Sequence, residues 1–201
     1  GCVVIDDSSA FRMEPNVPLV VPEINADDVE AHEGILAIPN CSTTPLVMAL
    51  YPLHRENPIR RIIADTYQSV SGTGSAAVAE LDTQLGQVLA GKPTVPDQYP
   101  HQIAFNVLPQ VEGFRDDGYT NEEWKMRVET RKIMHAPDIA ISSTCVRVPV
   151  PVSHSEAIHV EFERPMTPAD ARALMASFPG VVVTDDPAAG VYPMPINATG
   201  H

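Results

Sequence analysis

Twenty prolines in 201 residues set the tightest limit on what this chain can fold into. That is about twice the usual ~5% share. Each proline removes a backbone donor and disfavours a helix interior or a central strand. Here they stand singly along the chain instead of clustering. They therefore punctuate a folded chain and make neither a linker nor a low-complexity tract. Apolar residues at 44% against charged residues at 19% fit a globular protein. The length suits one large domain or two small ones, with a core that needs neither disulfides nor metals. No apolar run approaches the roughly 18 residues of a membrane span.

Twenty-six acidic residues against thirteen Lys and Arg leave a net charge of −13. Such a surface repels phosphate backbones, so no nucleic acid and no anionic membrane is expected as a partner. A local anion site is still allowed where a few cations converge. Cys2, Cys41 and Cys145 share no CxxC spacing and are odd in number. They fit a reducing, cytoplasmic compartment and no metal centre. The first residues, Gly1-Cys2-Val3-Val4-Ile5-Asp6, lack the basic region and long apolar run of a signal peptide. They read as a strand entered part-way, as if a preceding segment had been removed.

Hydrophobic periodicity predicts the elements. Strands are expected at Val3–Ile5, Ile35–Ile38, Ile59–Val70, Ile139–Val150 and Glu156–Glu163, with a short last strand at Val181–Val183. Val17–Ile24 reads as an extended edge or a loop, and Ile103–Val111 as an extended run. Helices are expected at about 42–54, 76–90 and 120–134, and from Thr167. The third opens with the capping box Thr120-Asn121-Glu122-Glu123. The last has Pro168 at its first position. The strand at 156–163 alternates Ile158, Val160 and Phe162 with His159, Glu161 and Glu163, a half-exposed pattern. This order predicts an α+β fold with a mixed, largely antiparallel sheet and helices on one face.

Four features could carry chemistry. In Ile38-Pro39-Asn40-Cys41-Ser42-Thr43-Thr44 a cysteine lies between a strand end and a helix start. The partial positive charge there favours a thiolate, and the unpaired N–H groups suit an oxyanion. A small cysteine beside a Ser/Thr cap fits equally well. Ser69-Val70-Ser71-Gly72-Thr73-Gly74-Ser75 before a helix reads either as an anion cradle or as an ordinary capped loop. Glu122, Lys125, Glu129 and Lys132 share one helix face, as a self-paired solvated stripe or as a binding face. Arg12, after a strand-end loop, is either an anion fork or a surface residue. The seven histidines show no metal-ligand spacing, and none is assigned a catalytic role, His154, His159 and His201 included.

Together these segments resemble the aspartate-β-semialdehyde dehydrogenase family. The likeness is carried by Val4-Ile5-Asp6-Asp7-Ser8-Ser9-Ala10-Phe11-Arg12, Val17 through Asn25, Pro39-Asn40-Cys41-Ser42-Thr43 and Thr66 through Gly72. It continues in Ile103-Ala104-Phe105-Asn106, Glu122-Glu123-Trp124-Lys125, Glu129-Thr130-Arg131-Lys132, and Thr144 through Val150 with His154-Ser155-Glu156. The resemblance implies an NADP-dependent oxidoreductase at the branch to lysine (through diaminopimelate), threonine and methionine. It would interconvert aspartate β-semialdehyde plus phosphate with β-aspartyl phosphate. Cys41 would form a thioacyl intermediate that Gln68 orients. Arg12 and Lys125 would hold phosphate, and Glu122 the substrate ammonium. Asn40 would face the same pocket, Ser71 and Gly72 would approach NADP, and the enzyme would be a homodimer or tetramer.

The same resemblance implies domain limits. Residues 1–39 would be the end of a Rossmann-type NADP-binding domain, and 40–201 a catalytic and dimerisation domain cut short at its C-terminus. It places the family's substrate arginine and acid/base histidine beyond residue 201, so the chain is expected to be inactive alone. The strands at 139–163 are the expected interface. A reductase of the N-acetyl-glutamyl-phosphate type is the alternative enzyme, and a non-catalytic dimerisation or interaction fragment the alternative outside catalysis.

Overall fold

A computed structural model of the chain describes residues 1–200; the expectation about His201 lies outside the described residues. In chain order the elements are β1 (Val4–Asp6), α1 (Pro22–Asn25), β2 (Ile35–Ala37), α2 (Thr43–Glu56), β3 (Ile59–Gln68), α3 (Ser75–Leu89), α4 (Asn121–Ile133), β4 (Ala140–Arg147), β5 (Ser155–Phe162), α5 (Pro168–Ala176) and α6 (Pro195–Ala198). Short 3-10 turns occupy Ala26–Ala31, Val70–Thr73 and Pro187–Ala189. The chain divides into two units. One holds Gly1–Ala64, Trp124–Ser143 and Ile158–Val183; the other holds Asp65–Glu123, Thr144–Ala157 and the segment from Thr184.

In the first unit, β1 and β2 pair in parallel, with Val4 opposite Ile35 and Asp6 opposite Ala37. Leu19 adds an isolated parallel bridge to Ala37, which is fully buried. Helix α2 turns Leu46, Val47, Leu50 and Leu53 inward at helical spacing. Each such side chain contributes roughly 1.5–3 kcal/mol by leaving water. Tyr51 meets Phe178 with ring centroids 6.0 Å apart.

In the second unit, Ala77 and Leu81 of α3 pack with Val70, Ile103, Ala104 and Leu108. Two buried side chains of α3 tie down the proline-spotted region that follows. Gln84 Oε1 accepts the N–H groups of Ile103 and Ala104, and Glu80 accepts those of Asp97 and Gln98. The capping box forms as the sequence predicts: Thr120 N donates to Glu123 Oε2 at 2.7 Å, and Glu123 N to Thr120 Oγ1 at 3.3 Å.

The three longer strands make one sheet in the order β4-β3-β5. Glu163 N donates to the Pro58 carbonyl, which joins the end of β5 to the start of β3, so these two run in opposite directions. Val148 N donates to the Gln68 carbonyl, which joins the two strand ends, so β4 runs parallel to β3. The α+β class and the mixed sheet hold.

Several local expectations do not. The segment at 22–24 is not extended: Pro22 starts α1, and the Asn25 side chain accepts from Val21 N and donates to the Leu19 carbonyl. Ile103–Val111 forms no strand, because two of its N–H groups go to Gln84 and Phe105 turns at φ 57. Only Leu108 keeps a bridge, to Arg147. Val181–Val183 is not a strand either, and Val182 stands 86% exposed.

Candidate active site

The first unit assembles Arg12, Asn40, Cys41, Glu129 and Lys132. The chain leaves β2, passes Pro39 and turns into α2 through Asn40, Cys41 and Ser42. Cys41 is exposed on that turn. Asn40 is buried, and its side chain does the capping: Oδ1 accepts from Ser42 N at 2.8 Å and Thr43 N at 3.2 Å. Its carbonyl accepts from Thr44 N at 3.1 Å. The idea that these first N–H groups hold an oxyanion is therefore corrected, since Asn40 already occupies them. Asn40 N in turn donates to Glu129 Oε2 at 2.8 Å.

Arg12 is buried and not a surface residue. Its Nε donates to the Ile38 carbonyl at 2.9 Å, Nη2 to the Asp7 carbonyl at 3.0 Å, and Nη1 to Glu129 Oε1 at 3.2 Å. Three of its five N–H donors are thereby used. The helix stripe also binds residues outside its own helix. Glu129 serves Arg12 and Asn40, while Lys132 Nζ donates to the carbonyls of Arg12, Glu14 and Val17 at 2.8, 2.9 and 2.9 Å. Burial pushes the Glu129 carboxyl up, against the lowering bonds from Asn40 and Arg12 and the charge of Lys125. Burial pushes the Lys132 ammonium down, against the charges of Glu14 and Asp28. Lys125 itself is half-buried.

The second unit assembles Gln68, Glu122, Arg147 and His154. Gln68 ends β3, and Glu122 lies in the first turn of α4. Both are buried, and Gln68 Nε2 donates to Glu122 Oε1 at 2.9 Å. Thr66 Oγ1 donates to Gln68 Oε1 at 2.9 Å, so the amide orientation is set from both sides. Arg147, also buried, donates from Nη1 to the Ser69 carbonyl at 2.6 Å. His154 Nδ1 accepts the Ser69 N–H at 3.1 Å and lies 3.0 Å from Ser69 Oγ. Burial lowers the His154 pKa, the Arg147 charge lowers it further, and Glu122 opposes both.

Ser71 and Gly72 form the turn between β3 and α3. A Cβ built on Gly72 would come within 3.1 Å of Arg147 Nη1 and 3.2 Å of His154 Cε1. A side chain at this position would crowd both, and one of the two would have to give by a few tenths of an ångström. Nearby, burial and then Glu122 push the Glu156 carboxyl up to about 8, and neither of its oxygens has a hydrogen-bond partner among the described residues. Cys145 is a core residue whose thiol burial pushes well up.

Sequence reasoning passed over Arg147 and His154. The signal was present in the period of β4. Ile141, Ser143, Cys145 and Arg147 occupy its buried register, and an arginine in an inward register demands a partner.

A family model described as "Semialdehyde dehydrogenase, dimerisation domain" matches residues 50–201, about three quarters of the chain. The chain belongs to the semialdehyde dehydrogenase family. A second model of that family, its NAD binding domain, matches residues 1–32. The aspartate-semialdehyde dehydrogenase of Aquifex aeolicus is 51% identical over 204 residues, covering 100% of this chain and 60% of that protein. That of Bacillus subtilis is 46% identical over 208 residues, with the same coverage. The crystal structure of aspartate semialdehyde dehydrogenase II from Vibrio cholerae complexed with ASA superposes with a TM-score of 0.94 at 40% identity, covering 98% of this chain and 59% of that one. The chain thus spans about 60% of the length of the curated relatives it matches. Among the described residues, no helix is long and apolar enough to cross a membrane.

Proposed function

We propose that this chain carries the acyl-transfer chemistry of an aspartate-β-semialdehyde dehydrogenase, acting in the cytoplasm as a homodimer or tetramer. Residues 1–39 belong to its NADP-binding part and 40–201 to its catalytic and dimerisation part. The observation that carries the reading is the turn at Cys41: an exposed thiol on a fixed capped turn, with the buried Arg12 braced against the same turn through Glu129.

In this reading Cys41 is the nucleophile. Its thiolate sulfur attacks the acyl carbon of β-aspartyl phosphate, the C–O bond to phosphate breaks, phosphate leaves, and the acyl group is held as a thioester. In the other direction phosphate attacks that thioester and expels the thiolate. Gln68 donates a hydrogen bond to that acyl group; an amide orients without exchanging protons. Arg12 and Lys125 hold the phosphate, for which paired cations suit a dianion. Glu122 meets the substrate ammonium. That charge favours the aspartyl substrate over an N-acetylated one, whose amine is uncharged. Asn40 supports the nucleophile by capping, with its side-chain oxygen committed to Ser42 and Thr43.

The family's substrate arginine and acid/base histidine are here assigned to Arg147 and His154, in place of residues beyond 201. A buried guanidinium suits a substrate carboxylate. A half-buried imidazole with a lowered pKa is neutral near pH 7; with Nδ1 accepting from Ser69 N, its proton sits on Nε2, from which it can be handed to the reacting group. Gly72 is exposed and Ser71 half-buried on the turn before α3, and the reading has NADP approach these two residues. NADP, when bound, accepts or returns a hydride.

The test is competition at the thiol. Aspartate β-semialdehyde should slow iodoacetamide labelling of Cys41, followed by peptide mass spectrometry, and leave the exposed Cys2 unaffected. Labelling of Cys41 that ignores the semialdehyde at every concentration would overturn the reading.

A further inference from the structure

We propose that Glu129 is a positioning residue that locks the anion-binding arginine to the nucleophile's turn. This rests on the reading of Cys41 as nucleophile and Arg12 as phosphate ligand.

The two oxygens of one buried carboxylate divide the work. Oε1 takes Arg12 Nη1 at 3.2 Å, and Oε2 takes Asn40 N at 2.8 Å. The side chains of Arg12 and Glu129 are only 9% and 1% exposed, so water competes for neither contact. Asn40 directly precedes Cys41, and its side chain caps the helix that follows. Guanidinium, carboxylate and nucleophile turn are therefore one bonded chain. The spacing between the cation and the thiol's backbone is set before any phosphate arrives, which lowers the cost of ordering the site on binding.

Lys132, one turn further along α4, completes the brace. An ammonium has three donors, and all three are spent on the carbonyls of Arg12, Glu14 and Val17. The loop that carries Arg12 is thus held at its backbone by Lys132 and at its side chain by Glu129. Neither bond network requires Glu129 to touch substrate.

The Glu129→Gln variant separates this from a merely structural role. An amide can accept from Asn40 N or from Arg12, and its NH2 then opposes the other donor. The experiment follows iodoacetamide labelling of Cys41, with the exposed Cys2 as internal reference, at increasing inorganic phosphate. In the native protein, phosphate should protect Cys41 and not Cys2. In Glu129→Gln the phosphate concentration for half protection should rise about tenfold, the expected effect of losing one charged hydrogen bond. The phosphate-free labelling rate of Cys41 should change about threefold or more as its turn loosens. Glu129→Asp, which keeps the charge and reaches only one partner, should fall between the two, and it replaces Glu129→Gln if circular dichroism shows the latter unfolded.

Unchanged protection together with an unchanged phosphate-free rate would overturn the proposal. A native protein in which phosphate protects nothing would sink the phosphate reading of Arg12; the phosphate-free rate of Cys41 in the variants then still decides whether Glu129 sets the turn.

Discussion

The Gln68 amide donates to the Glu122 carboxylate across 2.9 Å, with both side chains almost wholly buried. The bond fixes which end of the amide faces the acid. Replacing that donor with a carboxylate, in Gln68→Glu, sets two buried acids against each other. One must take up a proton or the pair must part. The variant should lose about 1–3 kcal/mol of stability at pH 7. Because the new acid's pKa is raised by its neighbour, the loss should shrink as the pH falls and the pair shares a proton. Urea unfolding at pH 7 and pH 5 measures both; an equal loss at the two pH values would count against the contact.

Asn40 supplies the cap of α2 from three positions ahead of Thr43. Asn40→Ala should therefore cost about 1–2 kcal/mol, the usual price of a lost N-cap. It should also accelerate proteolysis or hydrogen exchange at residues 42–46 before the rest of the chain. Exchange mass spectrometry reads this directly, and uniform exchange across the chain would contradict it.

Glu156 has two buried oxygens without partners and a carboxyl pushed up from 4.5 to about 8, first by burial and then by Glu122. The folded state therefore holds a proton that the unfolded chain releases at ordinary carboxyl pH. The stabilisation by the protonated form is fully present below about pH 4.5. It falls away as the pH rises and is gone above about pH 8. Glu156→Gln should flatten that slope and raise stability at pH 8.5 by on the order of 1–3 kcal/mol. Thermal melts across this range decide it: a variant as pH-sensitive as the native chain would remove Glu156 as the source.

These groups mark where sequence legibility stopped. Periodicity found α2, α3, α4 and β5 because each has one face against the core, and local chemistry found the caps at Thr120 and Thr167. The motif at Cys41 was equally visible, since strand end, nucleophile and helix start are adjacent in the chain. Glu129 read as a solvated residue because its partners lie far away, Arg12 being 117 positions distant. Lys132 and Arg147 were hidden in the same way: a charge on a helix or strand looks exposed until the fold brings carbonyls to it. Ile103–Val111 read as extended because its apolar content is real, whereas the N–H groups of Ile103 and Ala104 are claimed by Gln84.

His154 and Gly72 permit a last test. The imidazole is held at Nδ1 by the Ser69 N–H, and burial followed by the Arg147 charge lowers its pKa from 6.5. The neutral ring is the stable form in the folded chain. Its contribution is intact above the ordinary histidine value and is lost as the pH falls through the lowered one. Followed by NMR, the His154 ring proton should titrate below 6.5, and Arg147→Gln should move the midpoint upward by removing one of the two lowering causes. Gly72→Ala would place a methyl 3.1 to 3.3 Å from Arg147 Nη1 and the His154 ring. Arg147 is pinned to the Ser69 carbonyl at 2.6 Å, so the imidazole is the group that must yield. The substitution should cost about 1–3 kcal/mol as an overpacked contact. It should also move the His154 titration toward its ordinary value as the ring gains water. A Gly72→Ala protein with native stability and an unmoved His154 midpoint would show that the turn does not press on the histidine.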